Sequence, residues 1–221
     1  LQSIKGIIFD MDGLLFDTEK VYSEVNIRLA KEFGLTGYDD AYYLTEVGLS
    51  DEEVFQKYLH DFSEHRAEVI KSFFEETRQA TMHEFRTNGA PVKPYVVPLL
   101  EYLQEVRIPA VIASSNMKHY IEVLLEKSNI QNYFKGIVSA DDVKNAKPDP
   151  EIVHKAVELL ETPNVETLML EDSINGIRAA HAAKVPVVMV PDMLPPDEEA
   201  REKTLCIVDS LADVLHFIKQ R

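Results

Sequence analysis

The stretch KGIIFDMDG, residues 5–13, begins with a short apolar run and ends in two acids and a glycine. An apolar run without alternation is what a strand buried on both faces looks like, as in a parallel sheet. The same texture returns at residues 110–113, 136–139, 167–170, 186–190 and 206–208. Between these runs lie amphipathic stretches, with Ile121, Leu124 and Leu125 on one and Ile152, Val153, Ala156 and Leu160 on another. Their spacing is helical. Ser210 and Asp213 are placed to cap a last helix with apolar positions Leu211, Val214, Leu215 and Ile218. Strands alternating with helices predict an α/β fold: a parallel sheet, right-handed crossovers and helices on both faces.

Residues 17–91 break that rhythm and read as helices alone. Tyr22, Val25, Leu29 and Phe33 fall at i, i+3, i+7 and i+11, and Gly34 closes that helix at its C′ position. Ser50 with Glu53 three residues later forms a capping box. A longer helix follows Ser63, with Val69, Phe73, Thr77 and Ala80 expected on its inner side, and Asn88-Gly89-Ala90-Pro91 ends it. Tyr38, Tyr42 and Tyr43 are expected to pack within this block. The chain therefore divides, on sequence, into a core of residues 1–16 and 92–221 and a helical insertion of residues 17–91.

The 221 residues carry 23 Lys and Arg against 38 Asp and Glu, a net charge of −15. Nucleic acid and anionic membrane both need a cationic face, so neither is an expected partner. A phosphorylated ligand would need a local cation to offset the overall field. One cysteine, Cys206, excludes an intrachain disulfide and fits a reducing compartment; it is expected as a buried strand residue. No apolar run approaches the ~18 residues of a membrane span. No signal-peptide layout precedes the first strand, which predicts a cytoplasmic protein. The seven histidines show no ligand spacing, and residues 192–199, DMLPPDEE, read as a solvated loop.

In an open α/β sheet, ligands sit beyond the carboxyl ends of the strands. Asp10 and Asp12 follow the first strand, and Ser114, Ser115 and Asn116 follow the second. Lys147 lies after the third, and Glu171 and Asp172 end the fourth. Each group alone has a plain structural reading. Asp-x-Asp-Gly can be a turn, Ser114 to Asn116 can cap a helix, Asp149 with Pro150 can start one, and acids at 171 and 172 can complement a helix dipole. Their arrival in order at four successive strand ends favours a common site.

Carboxylates converging in one crevice repel one another unless a cation sits among them. Their oxygens are hard ligands with no Cys or His alongside, which points to Mg²⁺ over zinc. Such an ion, an ammonium and hydroxyl or N–H donors together suit a phosphoryl group. A carboxylate can act as nucleophile, giving an aspartyl-phosphate, and another can serve as general acid and base.

Asp10-Met11-Asp12-Gly13, Ser114, Lys147 and Glu171-Asp172 resemble, in order, the four motifs of the haloacid dehalogenase-like hydrolases. The insertion after the first motif resembles the helical cap of the branch holding β-phosphoglucomutase and sugar-phosphate phosphatases. The resemblance implies a Rossmann-like core with Asp10 as nucleophile and Asp12 as general acid and base. It implies Ser114 and Lys147 as phosphoryl-binding groups with Ser115 and Asn116 nearby. Mg²⁺ would be held by Asp10, the Asp12 carbonyl, Glu171 and Asp172. Phe16-Asp17-Thr18 and the segment from Pro91 to Pro98 would be hinge strands, and the cap would set specificity.

Departures from the family pattern narrow the chemistry. Asp12 is the second acid that the dehalogenases and phosphonoacetaldehyde hydrolases lack, and the latter's cap lysine is replaced here by Asp51. Where β-phosphoglucomutases carry a lysine and an arginine for the second phosphate, this chain has Val47 and Asp51, and Tyr22 stands for a hinge histidine. An apolar and an acidic residue suit a bisphosphate poorly. The expectation is a phosphatase acting on a small phosphorylated metabolite; a β-phosphoglucomutase-like phosphomutase, with Lys118 reaching the distal phosphate, is the alternative. A phospho-acceptor binding module without turnover is more remote, because receiver domains place their acceptor after an inner strand and lack such an insertion. Lys184 and Ala146 stand where the family carries glycines.

Overall fold

The computed structural model describes residues 3–49 and 51–220. The chain divides into two compact units, Leu1–Asp17 with Ala90–Arg221, and Thr18–Gly89. Strand β1, Gly6–Phe9, belongs to the first unit. The second unit holds α1 (Thr18–Phe33), α2 (Asp40–Leu44), α3 (Asp51–Asp61) and α4 (Ala67–Asn88). The first unit resumes with α5 (Val96–Glu105), β2 (Ala110–Ala113), α6 (Lys118–Ser128) and β3 (Gly136–Val138). It continues through α7 (Glu151–Leu160), β4 (Thr167–Glu171), α8 (Ile174–Ala182) and β5 (Val187–Met189). Helix α9 (Glu198–Lys203), β6 (Cys206–Ile207) and α10 (Leu211–Lys219) complete it.

The six strands form one parallel sheet in the order β3-β2-β1-β4-β5-β6. Ile8 pairs with Val111 on one side and Met169 on the other, so β1 is central. Ile8, Val111 and Met169 pack with Ile152, Val153 and Ala156 of α7 and Ile177 and Ala180 of α8. Ile7, Phe9, Ile112, Leu168 and Leu170 alternate to the other face and are equally buried, so both faces are covered. This accounts for the unbroken apolar runs. The strand order turns back between β1 and β4, and that reversal opens a crevice at their carboxyl ends.

Where the chain leaves and re-enters this unit, Asp17 N donates to Pro91 O at 2.8 Å and Lys93 N to Leu15 O at 2.9 Å. Phe16 makes an isolated antiparallel bridge with Val92. The extended stretch is shorter than expected, because α5 begins at Val96 and takes in Pro98. Pro98 lies in the first turn, where a missing N–H costs no helical bond. Lys184 adopts φ 56°, the left-handed conformation that the family's glycine would favour.

In the helical unit α1 packs along α4. Tyr38, Tyr58, Phe62 and Phe73 form its aromatic centre, with ring centroids 5.3–6.3 Å apart. Glu46 is buried among them, and its Oε2 accepts hydrogen bonds from Tyr38 Oη at 3.0 Å and Tyr58 Oη at 2.8 Å. The inner stripe of α4 is Ile70, Phe73, Thr77, Thr81 and Phe85. This corrects the expectation at Val69 and Ala80, which are half-buried. Thr77 hides its polarity by donating to Phe74 O, whereas Thr81 Oγ1 is buried with no hydrogen-bond partner among the described residues. Gly34 and Gly89 follow their helices at φ 75°. The capping role expected of Ser50 lies outside the described residues.

Three further readings need correction. Cys206 is half-buried on the edge strand β6, which has a neighbour on one side only. Ser210 Oγ donates to the Asp213 carboxylate and makes no bond to the backbone it precedes. Residues 192–199 are a solvated loop only in part: Asp197 Oδ1 accepts from Ala200 N to cap α9, and the Asp192 side chain is largely buried and ion-paired. Among the described residues no helix is long and apolar enough to cross a membrane.

Candidate active site

β1 delivers Asp10, β2 delivers Ser114, the loop after β3 delivers Lys147, and β4 delivers Glu171 and Asp172. Lys147 crosses to the sheet centre. Its Nζ donates to Asp10 Oδ1 at 2.6 Å, Glu171 Oε2 at 3.1 Å and Ala113 O at 3.1 Å. An ammonium has three N–H donors, and all three find oxygen. The side chains of Lys147, Asp10 and Glu171 are 5%, 10% and 1% exposed, so this is a buried network.

Glu171 is fixed on its other oxygen as well. Its Oε1 accepts from Ser173 Oγ at 2.5 Å and Ser173 N at 3.2 Å, while Ser173 Oγ accepts from Gly176 N and caps α8. A Cβ on Gly176 would overlap the Glu171 carboxyl. Glycine is thus required in the first turn of α8 for the strand end to approach it. Gly13, at φ 73°, has the same relation to Asp172.

Carboxylate oxygens of Asp10, Glu171 and Asp172 all lie within 4.8 Å of one another. Burial first, and the Glu171 charge second, push Asp10 up to about 7 against the opposing pull of Lys147. Asp172 is pushed well above the usual carboxylate range by burial and then by Glu171, Asp10 and Asp192. Burial lowers Lys147, but the charges of Asp10 and Glu171 outweigh it and hold the ammonium above its ordinary value. Three acids facing one ammonium leave a buried excess of negative charge, which a hard cation would relieve. The donor set, all carboxylate oxygen, fits such an ion.

A second strand of contacts joins the first and second motifs. Asn116 Nδ2 donates to Asp12 Oδ2 at 2.5 Å, and Ser114 Oγ accepts from Asn116 N at 3.2 Å. Ser114 is buried, with its N–H donating to Val138 O. Ser115 is exposed. Neither serine nor Asn116 caps α6: its N-cap is Met117, and Lys118 N donates to Asp141 Oδ2 instead. Helix capping, the plain reading of these three residues, is therefore not what they do here. At the third motif, Asp149 Oδ1 accepts from Glu151 N, but the N-cap of α7 is Pro150.

Ser173, Gly176, the Ala113 carbonyl, Asp192 and Lys93 belong to the same strand-end region and were not anticipated. Asp192 had a readable signal. It lies three residues past an apolar strand, and the strand-end rule applies to β5 as to β1.

Residues 7–190 match the family described as haloacid dehalogenase-like hydrolase. The pyrophosphatase PpaX of Oceanobacillus iheyensis is 31% identical over 190 residues, covering 85% of this chain and 84% of that protein. The phosphorylated carbohydrates phosphatase of Thermotoga maritima is 29% identical over 184 residues, 82% of each chain. The crystal structure of β-phosphoglucomutase from Clostridium difficile superposes with a TM-score of 0.72, covering 98% of this chain and 96% of that one. At 24% identity that likeness bears on the fold alone. The family match over 7–190 and the strand-end motifs agree, and this chain belongs to the haloacid dehalogenase-like hydrolases.

Proposed function

We propose that the protein is a Mg²⁺-dependent phosphatase that hydrolyses a small phosphate monoester through an aspartyl-phosphate on Asp10. The observation that carries this is the Lys147 ammonium bonded to both Asp10 and Glu171 at adjoining strand ends. Asp10, the Asp12 carbonyl, Glu171 and Asp172 would hold the ion, which supplies charge neutralisation for the transferring phosphoryl group.

Asp10 supplies the nucleophile: one carboxylate oxygen bonds to phosphorus as the ester P–O bond breaks. Asp12 gives its proton to the departing alkoxide oxygen. Asn116, bonded to Asp12 Oδ2, keeps that carboxyl aimed. Asp12 then takes a proton from water, whose oxygen attacks the phosphorus of the acyl phosphate. The P–O bond to Asp10 breaks, the free carboxylate returns, and inorganic phosphate leaves. Lys147 neutralises charge on Asp10 and the phosphoryl oxygens, and Ser114, with Ser115 and Asn116 nearby, offers hydroxyl and N–H donors.

Relatives that act on phosphorylated carbohydrates and on pyrophosphate support a small phosphorylated metabolite as substrate. Hydrolysis is favoured over mutase chemistry because Val47 and Asp51 supply no cation for a second phosphate. The test is release of inorganic phosphate from sugar phosphates, nucleotides and pyrophosphate with Mg²⁺ and with excess chelator. Interconversion of glucose 1-phosphate and 6-phosphate is followed in parallel. Release that stops in chelator is expected; full activity in chelator overturns the metal assignment, and net isomerisation without release overturns the hydrolase.

A further inference from the structure

Asp192 lies three residues beyond β5, the strand that pairs with β4. Its Oδ1 is ion-paired with Lys93 Nζ, and the two side chains are 11% and 24% exposed. Its Oδ2 is buried with no hydrogen-bond partner among the described residues. Gly13 stands between this acid and the carboxylate group: a Cβ there would lie 3.1 Å from Asp192 Cβ and overlap Asp172 Oδ2. Lys93 is itself held to the first-motif loop, its N–H donating to Leu15 O.

We propose that Lys93 and Asp192 are a positioning pair that sets the divalent-cation affinity of the carboxylate group, Asp192 as its outermost acid and Lys93 as the charge that masks it. This rests on the cation site assigned above. Five acids (Asp10, Asp12, Glu171, Asp172 and Asp192) and two ammoniums (Lys147 and Lys93) share this corner of the sheet. Charges in so poorly hydrated a place are weakly screened and act on one another beyond contact distance. Removing Lys93 uncovers a negative charge beside the group and strengthens its pull on a cation. Removing the Asp192 charge leaves Lys93 uncompensated and weakens it.

The test is calorimetric titration of the substrate-free protein with Mg²⁺, alongside thermal unfolding in chelator. Lys93→Met, which keeps the apolar stem, is expected to bind the ion about tenfold more tightly, and Asp192→Asn about tenfold more weakly. The double variant returns to within about threefold of the parent, and Lys93→Arg stays close to it. Loss of mere structural support would shift both single variants the same way. If the parent binds Mg²⁺ and the two single variants move together or not at all, the pairing role is overturned while the cation site stands. If the parent binds no divalent cation, both are overturned.

Discussion

Lys147 Nζ lies 2.6 Å from Asp10 Oδ1, although 137 positions separate the two residues in the chain. The contact exists because β1 is central and the loop after β3 folds back over the ends of β2 and β1, anchoring the ammonium on the Ala113 carbonyl as well. Replacing Lys147 by Met strands two buried carboxylates, a defect of about 3–5 kcal/mol. The expected result is a lower urea midpoint in chelator, partly recovered by added Mg²⁺, with turnover lost. An unchanged midpoint would show that the pair contributes nothing to the fold.

Asp12 is distinguished from the three grouped acids by its partner. It is bonded to Asn116 and half-buried, whereas Asp10, Glu171 and Asp172 face one another. If it carries the proton, Asp12→Asn lowers turnover by about 10²–10⁴ while leaving substrate affinity nearly unchanged. Steady-state phosphate release measures both. A near-normal rate would move the acid–base role to another group.

The sheet was legible because strands covered on both faces need uninterrupted apolar side chains, and β1, β2 and β4 have them. Asp10, Lys147, Glu171 and Asp172 were legible because such strands end at a ligand crevice. Asp192 is obscured by a run rich in proline and acids, whose composition says nothing of the strand before it. Gly176 is obscured for a different reason. Its necessity comes from the approach of a side chain five residues earlier across a turn, a distance no local pattern records. On α4 the apolar Val69 and Ala80 outweighed Thr81, whose burial depends on what packs against it.

Gly176 gives two opposed expectations. A glycine near a helix start normally yields stability when replaced by alanine, about 1 kcal/mol by propensity. Here the added methyl overlaps the Glu171 carboxyl, which is already tied to Lys147 and Ser173. Overpacking of this kind costs about 1–3 kcal/mol. Gly176→Ala is therefore expected to lower the unfolding midpoint and to weaken Mg²⁺ binding in calorimetry. A stabilised variant with intact cation affinity would mean that Glu171 has room to move.

Glu46 is expected to make the helical unit sensitive to pH. Burial pushes its carboxyl up to about 7, and the hydroxyls of Tyr58 and Tyr38, with the charges of Arg78 and Lys57, only partly oppose this. Between about 4.5 and 7 the folded state therefore holds a proton that the unfolded chain has released. Stability falls as pH rises through that window, by up to about 3 kcal/mol from this residue, and the deficit is constant above it. Glu46→Gln keeps a carbonyl oxygen for both tyrosines and removes the titration. Urea midpoints from pH 5 to 8 should decline more steeply in the parent than in the variant, and the variant should be the more stable at pH 8. Parallel curves would mean that Glu46 stays ionised in the fold, its charge sustained by the two tyrosine hydroxyls.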